Sequence, residues 1–290
     1  MRNLSGRVAA VTGTASGIGK ATALLLAREG CGLAVSDINE EGLEQTRQEI
    51  EALGVKVHAT VLDVADKEAV HRWADDVAAE FGKVNIIVNN AGVEVGASIE
   101  NMTYEDFEWL IGINFLGMVY GTKAFLPYLK QADAGHIVNI SSTAGLMALP
   151  FQSAYSSSKF GIRGFTECLR MELDLDDCSV GATSVHPGAI KTDIMNVARV
   201  SKSDLDEFAI ERDKIGAMWD IIAINTPEKA ARKIVSGIRK DKHRVLIGLE
   251  AYLLDFFQRL FPVIYHKAMV AGLKLIRRIR QGEIKRGNSG

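Results

Sequence analysis

The sequence predicts a single α/β domain built on a doubly wound parallel sheet. Two observations predict it. Short apolar runs alternate with longer stretches of helical period through most of the chain. The runs are also apolar almost without interruption, as in Ile86-Ile87-Val88 and Ile137-Val138-Asn139-Ile140, which suits strands covered on both faces. Right-handed crossovers then wind such units into one sheet with helices on either side. Strands are expected at 8–12, 32–36, 56–60, 84–88, 135–140, 180–185 and 244–247, and helices at 18–29, 40–53, 67–81, 104–131, 153–177 and 227–239. Ligands of such sheets bind beyond the carboxyl ends of the strands.

Composition narrows the function. With 290 residues, 47% of them hydrophobic, the chain is long enough for one large domain with a full core. No Pro/Gly/Ser-rich linker divides it and no repeat recurs. A net charge of −2 gives no whole-chain reason to expect a nucleic-acid partner. Cys31, Cys168 and Cys178 lack C-x-x-C spacing, which argues against a metal site or a disulfide framework and fits a reducing compartment. Each is expected as a buried, inert thiol. The N-terminus enters the first strand almost at once, with no apolar leader core. No run of about 18 apolar residues suggests a membrane-spanning helix. The expectation is a soluble, cytoplasmic protein, with one reservation about its C-terminal segment.

In chain order, the first strand opens into Gly13-Thr14-Ala15-Ser16-Gly17-Ile18-Gly19, a glycine-rich turn before an apolar-periodic helix. Gly13 would let the chain turn sharply, and Gly17 would let backbone N–H groups approach a pyrophosphate. Gly19 would allow close helix–strand packing at a helix N-terminus, where an anion is favoured. The spacing is G-x-x-x-G-x-G, and read alone it also fits a plain strand–turn–helix. The second strand ends at Asp37. A carboxylate there would accept hydrogen bonds from ribose hydroxyls and repel a 2′-phosphate, favouring NAD over NADP; the alternative is a turn or N-cap aspartate. The third strand ends in Leu62-Asp63-Val64 and the fourth in Asn89-Asn90-Ala91-Gly92, whose small residues would let a backbone pass close to a cofactor.

The helix expected at 153–177 carries Tyr155 and Lys159, four residues apart and so on one face. A phenol ordinarily titrates near 10. A fixed ammonium beside it favours the phenolate and would lower that value toward the range where it trades protons with an alcohol or ketone. Read alone, Y-x-x-x-K suits any helix surface; its company gives it meaning. Ser142, at the end of the fifth strand, precedes Tyr155 by 155 − 142 = 13 residues. No G-x-S-x-G elbow surrounds Ser141 or Ser142, which leaves no serine-hydrolase arrangement. His136 and His186 are read as structural.

Together, T-G-x-x-x-G-x-G, Asn89-Asn90-Ala91-Gly92, Ser142 and Y-x-x-x-K, in this order and register from about residue 7 to about residue 247, resemble the classical short-chain dehydrogenase/reductase family. The resemblance implies a Rossmann-type fold and an NAD(P)-dependent oxidoreductase, and it does not cover the last ~40 residues. It implies that Tyr155 is the acid/base and that Lys159 lowers its pKa and binds the nicotinamide ribose. Ser142 would polarise the substrate oxygen, and Asn114 would distort its helix and hold a water in a proton relay. It implies that Asp63 meets the adenine amino group with the Val64 backbone beside it. Asn90, Ala91 and Gly92 would serve both sheet and cofactor. Pro187 and Gly188 would cup the nicotinamide, while Ile190 and Thr192 hold its carboxamide. Ser16 and Ile38 stand where relatives that bind a 2′-phosphate often carry basic residues, again favouring NAD. No metal is needed. Family members of this type are commonly dimers or tetramers built on the helices expected here at 104–131 and 153–177.

The expected division is a catalytic domain at 1–249 and a C-terminal extension at 250–290, with 193–225 as an irregular helical flap over the site. The flap mixes Ile194, Met195, Val197, Phe208, Ile215, Met218 and Trp219 with charges, a stripe that serves core or lid. With Leu146, Met147, Pro150 and Phe151 after the serine it suggests an apolar substrate, a steroid-, retinoid- or lipid-like alcohol. Substrate contacts are expected at Ser142, Leu146, Met147, Phe151, Tyr155 and Met195. In the extension, Tyr252, Leu253, Leu254, Phe256, Phe257, Leu260 and Phe261 precede Pro262, and a second helix-like segment ends in Lys274-Leu275-Ile276-Arg277-Arg278-Ile279-Arg280. Such a pattern fits a peripheral membrane contact, packing on the domain's own body, or a subunit contact. Gly287 to Gly290 is expected to be disordered. The rival to an enzyme acting on a secondary alcohol or ketone is a non-catalytic NAD-binding scaffold or redox sensor, which has no evident need for Tyr155 beside Ser142.

Overall fold

Each apolar run becomes a strand within two residues of its expected place. The computed structural model describes residues 1–208 and 210–287; expectations for the Phe208, Ile276, Ile279 and Arg280 side chains and for Asn288, Ser289 and Gly290 lie outside the described residues. In order the elements are β1 (Val8–Thr12), α1 (Gly17–Arg28), β2 (Gly32–Asp37), α2 (Glu40–Glu51), β3 (Val57–Val61), α3 (Lys67–Phe81), β4 (Ile86–Asn89), β5 (Val95–Gly96), α4 (Tyr104–Ile111), α5 (Gly117–Gln131), β6 (Gly135–Ile140), α6 (Ser153–Leu175), β7 (Val180–Pro187), β8 (Arg199–Val200), α7 (Lys202–Phe208), α8 (Lys214–Ile222), α9 (Pro227–Arg239), β9 (Arg244–Ile247), α10 (Leu249–Leu260) and α11 (Ile264–Gly287).

Seven strands pair in the order β3-β2-β1-β4-β6-β7-β9, and every pairing is parallel. The chain winds outward one way from β1 and the other way from β4. The crevice between the carboxyl ends of these two neighbours is therefore the topological switch point. Alternate strand residues face opposite layers. Ala9 and Val11 pack with Leu26 of α1, Ile50 of α2 and Ile234 of α9. Ala10 packs on the other side with Trp73 of α3, Phe125 of α5 and Leu173 of α6. Trp73 meets Phe125 edge-on at 5.0 Å between ring centroids, a favoured aromatic geometry. Both rings are fully buried.

The stretch 104–131 is long and apolar enough by length and composition to cross a membrane, contrary to expectation. Here its apolar face serves as core: Leu110, Phe125 and Leu129 are buried within the domain. It is also not one regular helix. A π turn at Gly112–Leu116 joins α4 to α5, and such bulges are frequent at functional sites.

Two further features give detail to the expected flap and extension. The flap at 193–225 contains α7 and α8. It is tied to the strip after β4 by a two-residue parallel pair, Val95↔Arg199 and Gly96↔Val200. Its far end closes through an Ile190↔Asn225 bridge. In the extension, α10 packs on the body through buried Ala251 and an Arg244–Asp255 ion pair. Pro262 separates α10 from α11, as a residue that continues no helix should. Tyr252, Leu253, Phe256, Leu260, Val263 and Ile264 are all more than half exposed. Of the cysteines only Cys31 is buried, and burial pushes its thiol up to about 12. Cys168 is exposed and Cys178 half-buried, so the expectation of three buried thiols fails for these two, the first on the solvent face of α6 and the second in the turn that follows it.

Candidate active site

The crevice at the switch point opens into a cavity of about 1130 Å³. Gly13, Ser16, Gly17, Ile18, Asp37, Ile38, Asp63, Val64, Asn90, Ala91, Gly92, Pro187, Gly188, Ile190 and Thr192 line it, together with Ser142, Tyr155, Lys159 and Met195. The structure thus brings nearly all the expected residues to one wall-to-wall site.

The glycine turn is shaped by backbone contact. Gly13 and Gly17 take φ of +70° and +57°, which side-chain-bearing residues rarely adopt. A Cβ on Gly19 would lie 1.9 Å from the Gly13 carbonyl oxygen and 2.5 Å from Asn90 Nδ2. Asn90 Nδ2 donates to the carbonyls of Thr12 and Gly13, each at 3.0 Å. Thr12 Oγ1 accepts from the N–H groups of Asn90 and Ala91 at 2.9 and 3.0 Å. The N-N-A-G strip and the glycine turn are therefore one hydrogen-bonded unit. Helices α2, α3, α4 and α9 begin under side-chain caps from Asn39, Asp66, Thr103 and Thr226. Helix α1 has none from Ser16 and no acidic residue in its first turn. Its N-terminal dipole and N–H groups face the cavity, which suits a pyrophosphate.

Asp37 is held by the loop around it. Its Oδ2 accepts from Ala15 N–H at 2.8 Å and its Oδ1 from Asn39 N–H at 2.9 Å. It makes the turn and lines the cavity at once, so the two readings of this residue are compatible. Asp63 likewise accepts from Ala65 N–H at 2.9 Å and borders the cavity. These features fit a nicotinamide dinucleotide: an uncapped helix start for the diphosphate, and anchored carboxylates with lone pairs to spare for hydroxyl and amino donors. Among the described residues, no group of three or more His, Cys, Asp or Glu side chains could hold a metal ion.

Asn114 sits in the π turn, buried. It clamps the backbone of Val93, accepting its N–H at 2.8 Å and donating to its carbonyl at 2.9 Å. Ser142 follows β6 and caps a 3₁₀ turn, its Oγ accepting from Ala144 N–H at 3.1 Å. His186 Nδ1 donates to the Ser142 carbonyl at 3.0 Å, which leaves Nε2 to accept from Ser184 Oγ at 2.8 Å. Burial pushes the His186 imidazole down to about 3 and His136 down to about 4. Both are neutral structural groups, and His186 fixes the backbone of Ser142.

Tyr155 and Lys159 share one face of α6, but their electrostatics differ from expectation. Lys159 is 4% exposed; its Nζ donates to the Ile140 carbonyl at 3.0 Å and stands 5.3 Å from the Tyr155 ring centroid. Burial brings Lys159 down to about 8, against the pull of Glu94. Tyr155 is pushed above its ordinary value, first by burial and then by Glu94, while its hydrogen bond to Ser142 works the other way. The net shift is opposite in direction to the expected lowering, with desolvation of the phenolate as its largest cause.

Leu146, Met147 and Phe151, expected at the substrate, do not reach the cavity wall. The turn at Gly145 packs against Ser141 Oγ and the Lys159 carbonyl, where a Cβ would lie 2.3 and 2.5 Å away. The chain beyond it carries Leu146 and Met147 into buried positions. Leu149 and Gln152 line the cavity instead, with Trp109, Trp219 and Ile222. Glu94, Glu250 and Leu254 also border it, so the cavity draws on both sides of residue 249. Trp219 is fixed by donation from Nε1 to the Ile190 carbonyl at 3.1 Å, and Glu250 accepts from Asn225 Nδ2 at 2.6 Å. Glu94 left a signal in the sequence: a carboxylate inside the apolar run from Ala91 to Ala97 must find a partner or titrate. Trp219 belongs to the stripe already expected in the flap, whereas Glu250 left no signal, since its place depends on how the extension folds back.

Residues 7–202 match the family model described as short chain dehydrogenase. A Mycobacterium tuberculosis protein bearing the name oxidoreductase SadH is 43% identical over 274 residues, covering 94% of this chain and 97% of its own. The C alpha-dehydrogenase of a Sphingobium species is 33% identical over 243 residues, covering 82% and 79%. Among solved structures, a Burkholderia phymatum short chain dehydrogenase/reductase in complex with NAD superposes with a TM-score of 0.84 at 27% identity, covering 91% and 97%.

Proposed function

The chain belongs to the short-chain dehydrogenase family, whose members act on CH–OH donors with a nicotinamide dinucleotide, and from that premise we propose that it interconverts an apolar secondary alcohol and its ketone using NAD. The observation that carries the reading is the convergence of Ser142, Tyr155 and Lys159 on one cavity, beside a glycine turn whose helix start is uncapped.

The nicotinamide ring, when bound, accepts the hydride of the alcohol carbon or returns it to the ketone. The protein does the rest. Ser142 Oγ, held by Ala144 N–H and a carbonyl pinned by His186, fixes the substrate oxygen and stabilises charge developing on it. Tyr155 takes the hydroxyl proton in oxidation and returns it in reduction. Its raised pKa favours the protonated form, so reduction finds its acid ready, while oxidation needs the phenolate and gains as pH rises. Lys159 supplies a positive charge near that oxygen and a donor for ribose hydroxyls. Asn114, locked to Val93, keeps the strip behind Lys159 in place and serves as the inner station of a proton path. Trp109, Trp219, Ile222 and Leu254 give the rest of the cavity its apolar wall.

Asp37 supports NAD. A 2′-phosphate charge about 4 Å from this carboxylate would cost about 4 kcal/mol at an effective dielectric near 20, less where water enters. The wild type is expected to prefer NAD over NADP by at least about tenfold in kcat/KM, and Asp37→Ser to narrow that ratio severalfold. Wild-type preference for NADP would overturn the assignment.

The exposed aliphatic and aromatic side chains of α10 and the residues after it, with Lys267, Lys274 and Arg278 following on α11, suit a peripheral membrane contact. A homodimer or homotetramer through the outer faces of α5 and α6, where Phe160 and Met171 are exposed, suits the body. Light scattering with and without anionic liposomes checks both: a dimer or tetramer that moves with the liposomes is expected. A monomer would contradict the second reading, and indifference to liposomes the first.

A further inference from the structure

Glu94 is a buried carboxyl group that the mechanism above leaves unused. Its side chain is 3% exposed and borders the same cavity as Ser142, Tyr155 and Lys159. Its Oε1 has no hydrogen-bond partner. A buried acceptor left unmade is costly, and native structures rarely keep one without a use.

The fold does not need a carboxylate at this place. Its backbone does the structural work: Val93, just before it, is clamped by Asn114, and the Glu94 carbonyl accepts from Arg199 N–H at 3.1 Å. The strip is thus held on both sides, and the side chain projects from a rigid base. The nearby cations are committed elsewhere. Arg199 sends its guanidinium to Asp106 at 2.8 Å and over the Trp109 ring at 3.7 Å. Lys159 donates to Ile140. What remains is a preorganised acceptor set in an otherwise largely apolar wall, the usual construction of a specificity contact.

We propose that Glu94 is the specificity-determining residue of this site, its carboxyl group accepting a hydrogen bond from a second hydroxyl group on an otherwise apolar secondary alcohol or ketone, so that diols and hydroxyketones are the preferred substrates. This rests on the alcohol–ketone reading above and names its substrate class. Burial holds the Glu94 carboxyl near 8, with Lys159 and the Val95 N–H working against that rise. A hydroxyl partner suits such a group in either protonation state, whereas a fixed anion on the substrate would meet repulsion once it ionises.

The test compares cyclohexanol, a decalol and a monohydroxysteroid, each against its diols, by nicotinamide-coupled turnover of wild type, Glu94→Gln and Glu94→Leu. In the wild type at least one diol in a size class should exceed its mono-alcohol by about tenfold or more in kcat/KM, with the difference in KM. Glu94→Leu should bring that ratio close to one, whatever happens to the kcat common to both alcohols. Glu94→Gln, which keeps an acceptor oxygen and nearly the same shape, should retain part of it and guards against a leucine variant that fails to fold. No diol preference in the wild type, or a ratio unchanged in both variants, would overturn the inference while leaving the alcohol reading intact. No turnover of any alcohol by the wild type would overturn both.

Discussion

Tyr155→Phe is expected to lower kcat by about a thousandfold or more, in line with the 10²–10⁴ usually carried by a positioned acid/base. The substitution removes one oxygen and keeps the ring that packs with Leu110 and Ala154, so stability should change by less than about 1 kcal/mol. Cofactor affinity should stay within severalfold, because the dinucleotide cradle is built from the glycine turn, the N-N-A-G strip and Asp37. Stopped turnover with intact binding, read by fluorescence titration of the reduced cofactor, separates chemistry from folding. Turnover within a few fold of wild type would remove Tyr155 from the mechanism.

Gly19→Ala should be the most damaging small change in the cradle. Its Cβ would meet the Gly13 carbonyl oxygen at 1.9 Å and Asn90 Nδ2 at 2.5 Å. Both neighbours belong to the hydrogen-bonded unit that joins the glycine turn to β4, so neither swings away cheaply. Relief means moving α1 off β1 or breaking the bond from Asn90 to the Gly13 carbonyl. Overpacking of this kind costs about 3 kcal/mol, roughly 6–12 °C in Tm for a domain of this size, and cofactor binding should fall with it. A variant that melts and binds as wild type does would show that α1 is not pinned there. Gly82→Ala is a suitable control: φ is +70° but nothing lies within 4 Å of the added Cβ, so only modest backbone strain is at issue.

The strands were legible because both of their faces are buried, which makes them uniformly apolar, and because each is followed by a helix of opposite period. The cradle was legible for a related reason: Gly13, Gly17 and Gly19 are required by backbone geometry, and geometry of that kind leaves fixed residue types at fixed spacing. What stayed hidden depends on contacts distant in sequence. Glu94 left a signal as a carboxylate in an apolar run, but its meeting with Tyr155 and Lys159 did not, since it runs through the π turn at 112–116, where Asn114 clamps Val93. The pairing of β5 with β8 is two residues long and carries no period of its own. Glu250 reaches the cavity through the folding-back of the extension. The rise of the Tyr155 pKa is likewise a burial effect, and spacing along a helix is silent about burial. Leu146 and Met147 were misplaced because apolar residues near a site fit its wall and its core equally well until Gly145 is seen packed against Lys159.

The most direct test of the central claim follows a hydrogen isotope. A secondary alcohol deuterated at the carbinol carbon, one the wild-type protein oxidises, is incubated with NAD, and the reduced cofactor is examined by mass spectrometry and proton NMR. The account predicts one deuterium on the nicotinamide ring for each ketone formed, and about a thousandfold slower formation of both with Tyr155→Phe. Ketone formed with the deuterium lost to water, or formed equally well by Tyr155→Phe, would contradict direct hydride transfer under the control of this tyrosine.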